Sequence, residues 1–337
     1  MVQSTNSTSN HNSINNNHNN NSSSSSNKNN IDIYYIVTLT IDIALLLIKF
    51  WIAVFQTIIT TFAPQETDVN GQTVLITGTG HGIGKELALQ YSALGAKIIC
   101  WDMNEQSNQE TIKEIKSYGG EAHAYTVNVM KRDEINALAE KIKKDHGFIN
   151  IIVNNAGIMP CHPLLEHTET EIRNMYEINV LAHFWVSVHI IIQAFLPDMI
   201  ARNQGHIIAL SSCAGLFAVA NLVPYCGTKF AVRGLMEALA EELRHKNPQN
   251  NIKFTTIYPY MVDTGLCKRP RYRFPNLFKM VKPADAAASI IKAQRTSLEH
   301  VSIPHAYLYI EKISRIIPRS GLRLINDFLD AGVDSDK

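Results

Sequence analysis

A phenol and an amine lie four residues apart in the segment Tyr225-Cys226-Gly227-Thr228-Lys229. Side chains at positions i and i+4 of a helix project from the same face, so Tyr225 and Lys229 are predicted to be neighbours. A free tyrosine has a pKa of about 10, and a nearby ammonium stabilises its phenolate. Such a pair can move a proton to or from a substrate oxygen, although Tyr-x-x-x-Lys also occurs by chance on helices.

Two further polar residues could act with this pair. Ser212 lies thirteen residues before Tyr225, just after the apolar run 206–210. If that run is a strand, Ser212 lies at the carboxyl edge of a sheet, where ligands of α/β proteins bind, and its hydroxyl can orient a substrate oxygen. Ser211 is the adjacent alternative. Asn179 lies in an apolar stretch predicted as a helix, where it is either functional or a hydrogen-bonded core amide.

A glycine-rich turn separates the first predicted strand from a helix-prone stretch at 85–94. A helix N-terminus that follows a tight glycine turn offers free N–H groups to a pyrophosphate. Glycine-rich turns also simply connect elements, but placement between strand and helix favours a nucleotide site. The predicted cofactor contacts here are Gly78, Gly80, His81, Gly82, Ile83 and Gly84.

Asp102 ends the second predicted strand, near the separation expected for a carboxylate that binds a ribose 2′-hydroxyl. A carboxylate repels a 2′-phosphate, and neither Met103 nor Asn104 supplies a positive charge to reverse this. We therefore expect NAD as the preferred cofactor and NADP as the less favoured one. The alternative is an ordinary aspartate in a turn.

The elements that must position these residues follow from hydrophobic periodicity. From Gly71 onward, short β-branched runs alternate with helical patterns, as βαβ units do. This predicts an α/β fold, a single-domain Rossmann-type doubly wound parallel sheet over residues 71–305, followed by an amphipathic C-terminal extension over 306–337. The predicted strands are 74–77, 97–101, 122–127, 149–154, 206–210, 253–257 and, more weakly, 301–304.

The chain before this domain divides into two parts. Residues 1–30 are almost entirely Asn and Ser, a composition typical of disorder. Residues 31–65 are apolar, interrupted by Asp42 and Lys49, and are predicted to be a membrane anchor. The longest uncharged run, 50–65, is shorter than the roughly 20 residues of a span, so a re-entrant hairpin and an interfacial helix remain alternatives. A core helix of the soluble domain is disfavoured.

Composition excludes several classes of function. The formal net charge is +1 and charged residues are 18% of the chain, so no field recruits nucleic acid. The five cysteines form no CxxC pair, and the thirteen histidines contain no HExxH motif. We therefore expect reduced thiols and no metal site.

Together, the glycine turn, Asn154-Asn155-Ala156-Gly157, Asn179, Ser212 and Tyr225-x-x-x-Lys229 resemble the short-chain dehydrogenases/reductases over about residues 71–304. The resemblance implies an oxidoreductase acting on a CH–OH group, with Asn179, Ser212, Tyr225 and Lys229 as its catalytic residues. It implies that Lys229 also holds the nicotinamide ribose and that Asn179 positions a water for proton relay. Tyr225 and Lys229 thus join the implied cofactor contacts, which further include Asn128, Asn155, Ala156, Gly157, Val262 and Thr264.

Two positions depart from the family pattern. Asn128 stands where the family usually has an aspartate that accepts from the adenine amino group, although its amide oxygen can still accept. Tyr260 follows Pro259 where the broader family usually has glycine, which narrows the space near the nicotinamide.

A closer similarity, through His81-Gly82-Ile83-Gly84, Trp101-Asp102, the motif at 180–185 and the apolar segment, is to a membrane-bound subgroup. That subgroup contains the lipid-droplet 17-beta-hydroxysteroid dehydrogenases and the microsomal retinol dehydrogenases. It implies a lipophilic alcohol as substrate and an endoplasmic reticulum or lipid-droplet location with a cytosolic catalytic domain. It also implies a homodimer through the helices bearing Asn179 and Tyr225. A non-catalytic cofactor-binding scaffold is the alternative.

The stretch 268–282 interleaves basic and aromatic residues where this family builds its substrate lid. It is either a solvated loop or a lid that rests on an anionic membrane. Residues 306–329 are amphipathic and slightly basic as well, and could lie on the same surface.

Overall fold

The computed structural model describes residues 25–62, 64–182, 195–275 and 279–336. It divides into two compact units, one ending at Pro64 and the other spanning Gln65–Lys337. Most of the predicted polar tail lies outside the described residues, as do the last three residues of the motif at 180–185.

The first unit contains α1, a continuous 38-residue helix over Ser25–Phe62. It begins within the stretch predicted as tail, so the helix boundary lies before residue 31. Its segment Ile33–Ile59 has 27 residues with a mean hydropathy of 2.1 and is exposed. At 1.5 Å per residue this segment is about 40 Å long, more than the roughly 30 Å hydrocarbon core of a bilayer. No break interrupts the helix, so the structure does not show the hairpin alternative.

In the described part of the second unit, seven parallel strands form one sheet in the order β3-β2-β1-β4-β5-β6-β8, and β7 and β9 form a separate antiparallel pair. The strands are β1 (Thr73–Thr77), β2 (Lys97–Asp102), β3 (Ala122–Thr126), β4 (Ile151–Asn154), β5 (Gly205–Leu210), β6 (Ile252–Pro259), β7 (Pro270–Arg271), β8 (His300–Ile303) and β9 (Gly332–Val333). The chain builds outward from β1 to β3 and then returns to place β4 on the other side of β1. The strand order therefore reverses between β1 and β4, and the carboxyl ends of these strands border a crevice for ligands.

Among the described residues of this unit, the α-helices are α2 (Gly82–Ala93), α3 (Glu105–Ser117), α4 (Arg132–His146), α5 (Glu169–Tyr176), α6 (Leu196–Arg202), α7 (Val223–Lys246), α8 (Pro283–Arg295), α9 (Ala306–Ser314) and α10 (Arg319–Leu329). Side-chain hydrogen bonds cap the N-termini of several of these helices. The Asn104 side chain accepts from the Ser107 N–H at the start of α3, and Thr168 and Glu171 form a capping box at the start of α5. A π-helical turn, Glu177–Leu181, follows α5 directly.

The sheet is buried on both faces, which explains why its strands are almost continuously apolar. On one face Val74 and Ile76 pack with residues of α2, α3 and α8. On the other face Leu75 packs with residues of α4, α6 and α7. Successive strand residues thus enter opposite layers, and the predicted doubly wound fold is confirmed.

The second unit is larger than the predicted domain at both ends. Before residue 71, Glu66 pairs with Arg295 at 2.6 Å, and the Thr67 N–H donates to the Arg295 carbonyl. At the C-terminal end, β9 pairs with β7, and the Asp336 N–H donates to the Cys161 carbonyl at 2.8 Å. The residues predicted as a C-terminal extension are therefore folded onto the catalytic unit.

Candidate active site

The glycine turn after β1 is shaped by close backbone contacts. A Cβ at Gly84 would lie 2.0 Å from the Gly78 carbonyl oxygen, so no side chain fits there. Gly78 and Gly82 have φ angles of +73° and +61°, a region that disfavours other residues. Helix α2 begins at Gly82, and Gly82 and Ile83 line the cavity described below, so the first turn of the helix lies at its wall. A turn of this shape can hold the pyrophosphate of a dinucleotide, and the individual contacts stay a prediction.

Asp102 lies at the end of β2, beside this turn. Its Oδ2 accepts from the Gly80 N–H and its Oδ1 from the Asn104 N–H, both at 2.8 Å. These bonds fix the carboxylate at the rim of the cavity described below. Each oxygen keeps acceptor capacity for a ribose hydroxyl.

A buried polar network beneath the turn was not predicted from the sequence. Thr79 donates through its hydroxyl to Asn108 Oδ1 at 2.7 Å, and the Thr111 hydroxyl donates to the Thr79 carbonyl at 2.9 Å. The Asn108 amide also donates to the Cys100 and Tyr125 carbonyls. This network joins the turn to α3, β2 and β3. This network could have been predicted from the polar residues that recur on the buried face of α3.

Asn155, predicted to contact the cofactor, also holds the turn in place. Its amide donates to the Thr77 and Gly78 carbonyls at 2.8 and 3.1 Å. The Thr77 hydroxyl accepts from the N–H groups of both Asn155 and Ala156. The 155–157 segment is thereby locked to β1, although it still lines the cavity.

Tyr225 and Lys229 lie at the start of α7 and are both buried, with the Lys229 ammonium 5.5 Å from the centre of the Tyr225 ring. Lys229 Nζ also donates to the Leu210 carbonyl at the end of β5, at 2.8 Å. The predicted i, i+4 juxtaposition is confirmed.

Burial dominates the ionisation of this pair. It raises the pKa of Tyr225, and a hydrogen bond with Ser212 opposes that rise. Burial also lowers the pKa of Lys229 to about 8. The expected lowering of the Tyr225 pKa by the ammonium is therefore outweighed by desolvation.

The structure shows different roles for the adjacent residues Ser211 and Ser212. The buried Ser211 hydroxyl donates to the Lys229 carbonyl at 2.8 Å, so it ties β5 to α7. The Ser212 hydroxyl accepts from the Ala214 N–H at 3.1 Å and donates to the Pro259 carbonyl at 3.4 Å, and it lies close enough to Tyr225 to oppose the rise in the pKa of the phenol. Ser212 is thus the serine beside the phenol.

Asn179 is fully buried in the π-helical turn after α5. Its Oδ1 accepts from the Ile158 N–H at 2.8 Å, and its Nδ2 donates to the Ile158 carbonyl and the Thr228 hydroxyl at 2.9 and 3.2 Å. The side chain therefore holds the loop after β4 against α7. The backbone irregularity of a π-turn is frequent at functional sites.

The remaining predicted contacts lie on the two loops that flank the crevice. Asn128 follows β3, and its amide oxygen accepts from the Met130 N–H at 3.0 Å. After β6, Val262 bridges to Val281, and Thr264 lies so close to the glycine turn that a Cβ at Gly82 would be 3.0 Å from it. Tyr260, the departure from the family pattern, stacks on Tyr307 of α9 with ring centres 4.7 Å apart.

A cavity of about 1400 Å³ joins most of these parts, although the predicted site residues Gly80, Gly84 and Asn179 do not line it. One end is bordered by the glycine turn, Asp102 and Asn128, and the middle by Ser212, Tyr225 and Lys229. The far end is walled by side chains of α9, α10 and β9, among them Ile310, Ile313, Ile317, Leu322, Ile325 and Val333. The C-terminal residues thus complete a site that combines a dinucleotide cleft with a proton-transfer group and an apolar chamber. This defines the class of protein as a dinucleotide-dependent oxidoreductase.

Comparison with known proteins gives the family. The short chain dehydrogenase family model matches residues 72–272. Mouse estradiol 17-beta-dehydrogenase 11 is 31% identical over 296 residues, covering 88% of this chain and 96% of that protein. Mouse epidermal retinol dehydrogenase 2 is 35% identical over 263 residues, covering 78% and 83%. The chain belongs to the short-chain dehydrogenase family and is an oxidoreductase.

Solved structures show the same fold. A short-chain dehydrogenase/reductase from Burkholderia phymatum in complex with NAD aligns with a TM-score of 0.64 and 22% identity, covering 73% of this chain and 93% of that one. A metagenomic short-chain oxidoreductase in complex with NADP aligns with a TM-score of 0.58 and 28% identity, covering 70% and 98%. Both nicotinamide dinucleotides thus occur among the structural neighbours.

Proposed function

We propose that this protein is a membrane-associated, NAD-preferring dehydrogenase of a lipophilic alcohol such as a steroid or a retinol. The observation that carries the proposal is the continuity of the cavity from Ser212 and Tyr225 to the apolar walls of α9 and α10. Pockets for drug-sized ligands measure about 300–1000 Å³, so 1400 Å³ has room for a dinucleotide and an apolar substrate. The names of the relatives, a steroid and a retinol dehydrogenase, support the same substrate class.

The catalytic roles follow from the contacts at Tyr225. The bound nicotinamide supplies the acceptor for the hydride of the alcohol carbon. Ser212 orients the substrate oxygen, and the Tyr225 phenolate accepts the hydroxyl proton. Lys229 lies between the Tyr225 ring and the Leu210 carbonyl, and its protonated amine stabilises that phenolate. In the reverse direction the neutral phenol, which burial favours, donates its proton to a carbonyl oxygen.

The preference for NAD rests on the fixed carboxylate of Asp102. The hydrogen bonds from Gly80 and Asn104 keep this negative charge at the end of β2. A 2′-phosphate at the same place would face it at close range, whereas a hydroxyl would donate to it.

Membrane association rests on α1 and on the C-terminal helices. The Ile33–Ile59 segment is long and apolar enough to span a bilayer. In the catalytic unit, Leu324 and Phe328 of α10 are exposed, and Arg319 and Arg323 lie on the same helix. Basic and apolar side chains on one amphipathic element favour an anionic lipid surface. We assign the protein to the endoplasmic reticulum membrane or the lipid droplet, with its catalytic unit in the cytosol.

We also propose a homodimer through α7 and the helical segment that bears Asn179, which is α5 with its π-helical turn. Val223 and Phe230 of α7 are 50% and 42% exposed, and burial of such side chains would favour association. Sedimentation in detergent should give twice the chain mass. A single chain mass at micromolar concentration would contradict the dimer.

The function is tested by incubating the purified full-length protein with NAD and a panel of steroid and retinoid alcohols while NADH is followed by fluorescence. Tyr225→Phe should abolish turnover and retain NAD binding. Tyr118→Phe, at an exposed tyrosine, is the matched control and should be as active as the unaltered protein. Cofactor binding with no turnover on any alcohol, together with a cellular role that survives Tyr225→Phe, would favour the non-catalytic scaffold instead.

A further inference from the structure

Two histidines and a glutamate converge outside the catalytic set, on the connection between β4 and α5. His162 and His167 lie in the loop, and Glu171 is in the first turn of α5. One nitrogen from each ring and one carboxylate oxygen all lie within 4.8 Å of one another. We propose that His162, His167 and Glu171 bind a divalent transition-metal ion, with zinc as the best match.

The separations suit such an ion. His162 Nε2 lies 3.4 Å from Glu171 Oε1, and His167 Nδ1 lies 3.8 Å from Glu171 Oε2. Zinc holds nitrogen and oxygen ligands at about 2.0–2.2 Å in a tetrahedron, which places ligand atoms roughly 3.5 Å apart. The longest separation between ligand atoms, at most 4.8 Å, therefore needs to shrink by about 1.3 Å, which small rotations of the side chains can supply.

Burial and donor chemistry support a cation better than a solvated ion pair. The His162 and His167 side chains are 8% and 0% exposed, with ring centres 4.9 Å apart. Two neutral imidazoles and one carboxylate match the ligand preference of zinc, and the 30% exposed Glu171 leaves a path for the ion and a water as fourth ligand.

The surrounding contacts hold the ligands in place. The Glu171 carboxylate accepts from the Thr168 N–H at 2.9 Å, so its position is fixed by the helix cap. The His162 N–H donates to the Asn221 carbonyl at 3.1 Å, which anchors the loop to the segment before α7. An ion bound here would clip the β4–α5 loop, whose start at Ile158 and Met159 lines the cavity. It would stabilise this loop without taking part in proton transfer.

The test uses the full-length chain in detergent, stripped with a chelator and titrated with zinc by calorimetry. His162→Asn and Glu171→Gln each remove a ligand, and the glutamine retains the capping hydrogen bonds. His245→Asn, at an exposed histidine of α7, is the matched control for the other histidines of the chain. We expect one equivalent of zinc whose affinity falls at least about 100-fold in both ligand variants and is unchanged in the control.

Two further measurements make the result decisive. Zinc should raise the thermal midpoint of the unaltered protein and of His245→Asn but not of the ligand variants. Cobalt substituted for zinc should give the intense visible bands of four-coordination. Circular dichroism and NAD binding report whether each variant is folded. If His162→Asn does not fold, Glu171→Gln alone tests the proposal. Absence of zinc binding, or one equivalent retained with equal affinity in Glu171→Gln, would overturn the proposal. None of these readouts requires the alcohol substrate to be known.

Discussion

Replacement of Lys229 by methionine should destroy activity and yet leave the protein at least as stable at neutral pH. The Lys229 side chain is buried, and burial lowers its pKa from 10.5 to about 8. At about 1.36 kcal/mol per pKa unit, that difference corresponds to about 3 kcal/mol of destabilisation of the charged folded state. Methionine removes the charge at similar length but leaves the Leu210 carbonyl without its donor, at a cost of about 1–3 kcal/mol.

The sign of the pH dependence follows from linkage. Below pH 8 the lysine is charged in both states, so the folded protein bears the full cost of the buried charge. Between pH 8 and 10.5 the unfolded chain keeps a proton that the folded protein has lost, so the stability of the unaltered protein rises with pH relative to the variant. Lys229→Met is therefore expected to be about 0–2 kcal/mol more stable than the unaltered protein at pH 7 and less stable at pH 10.

The assay is urea unfolding of the full-length protein and the variant at pH 7 and pH 10, followed by circular dichroism. Lys113→Met, at an exposed lysine of α3, is the control. The difference in stability between this variant and the unaltered protein should not change sign between pH 7 and pH 10. Alcohol oxidation by Lys229→Met should fall at least about 100-fold. A variant that is destabilised equally at both pH values would refute the assignment of the buried charge as the source of the effect.

Three further predictions concern the cofactor and the membrane. Gly84→Ala should weaken NAD binding at least about tenfold, because its Cβ would lie 2.0 Å from the Gly78 carbonyl and displace the turn; fluorescence titration measures this. Asp102→Ala combined with Met103→Arg should reverse the preference from NAD to NADP, measured as the ratio of the two dissociation constants. Deletion of residues 31–62 should move the protein to the soluble fraction while NAD binding is retained, because the second unit contains the whole sheet.

Each of these predictions has a clear contrary result. Gly234→Ala in α7 is the control for the turn variant, because a Cβ there meets nothing within 4 Å, and it should bind NAD normally. NADP bound more tightly than NAD by the unaltered protein would contradict the role of Asp102. If the deletion protein still pellets with membranes after a high-salt wash, the membrane anchor is α9 and α10 rather than residues 31–62.

The fold and the central pair were determined by local sequence. The alternation of β-branched runs with helical periods predicts the parallel sheet because strands buried on both faces must be apolar throughout. The predicted strand at 206–210 corresponds to β5, and that at 253–257 lies within β6. Tyr225 and Lys229 are neighbours for the same local reason, since four residues make about one helical turn.

Contacts between residues distant in sequence were decided by the tertiary structure alone. Only packing against α7 turns the Ser211 hydroxyl to the Lys229 carbonyl and leaves Ser212 beside the phenol. The fold also brings the C-terminal helices, predicted as an extension, to the far wall of the cavity, and leaves Asn179 bound to Ile158 and Thr228. Periodicity specifies which face of an element is buried, but the partner across that face depends on loop closures and strand order that no local pattern encodes.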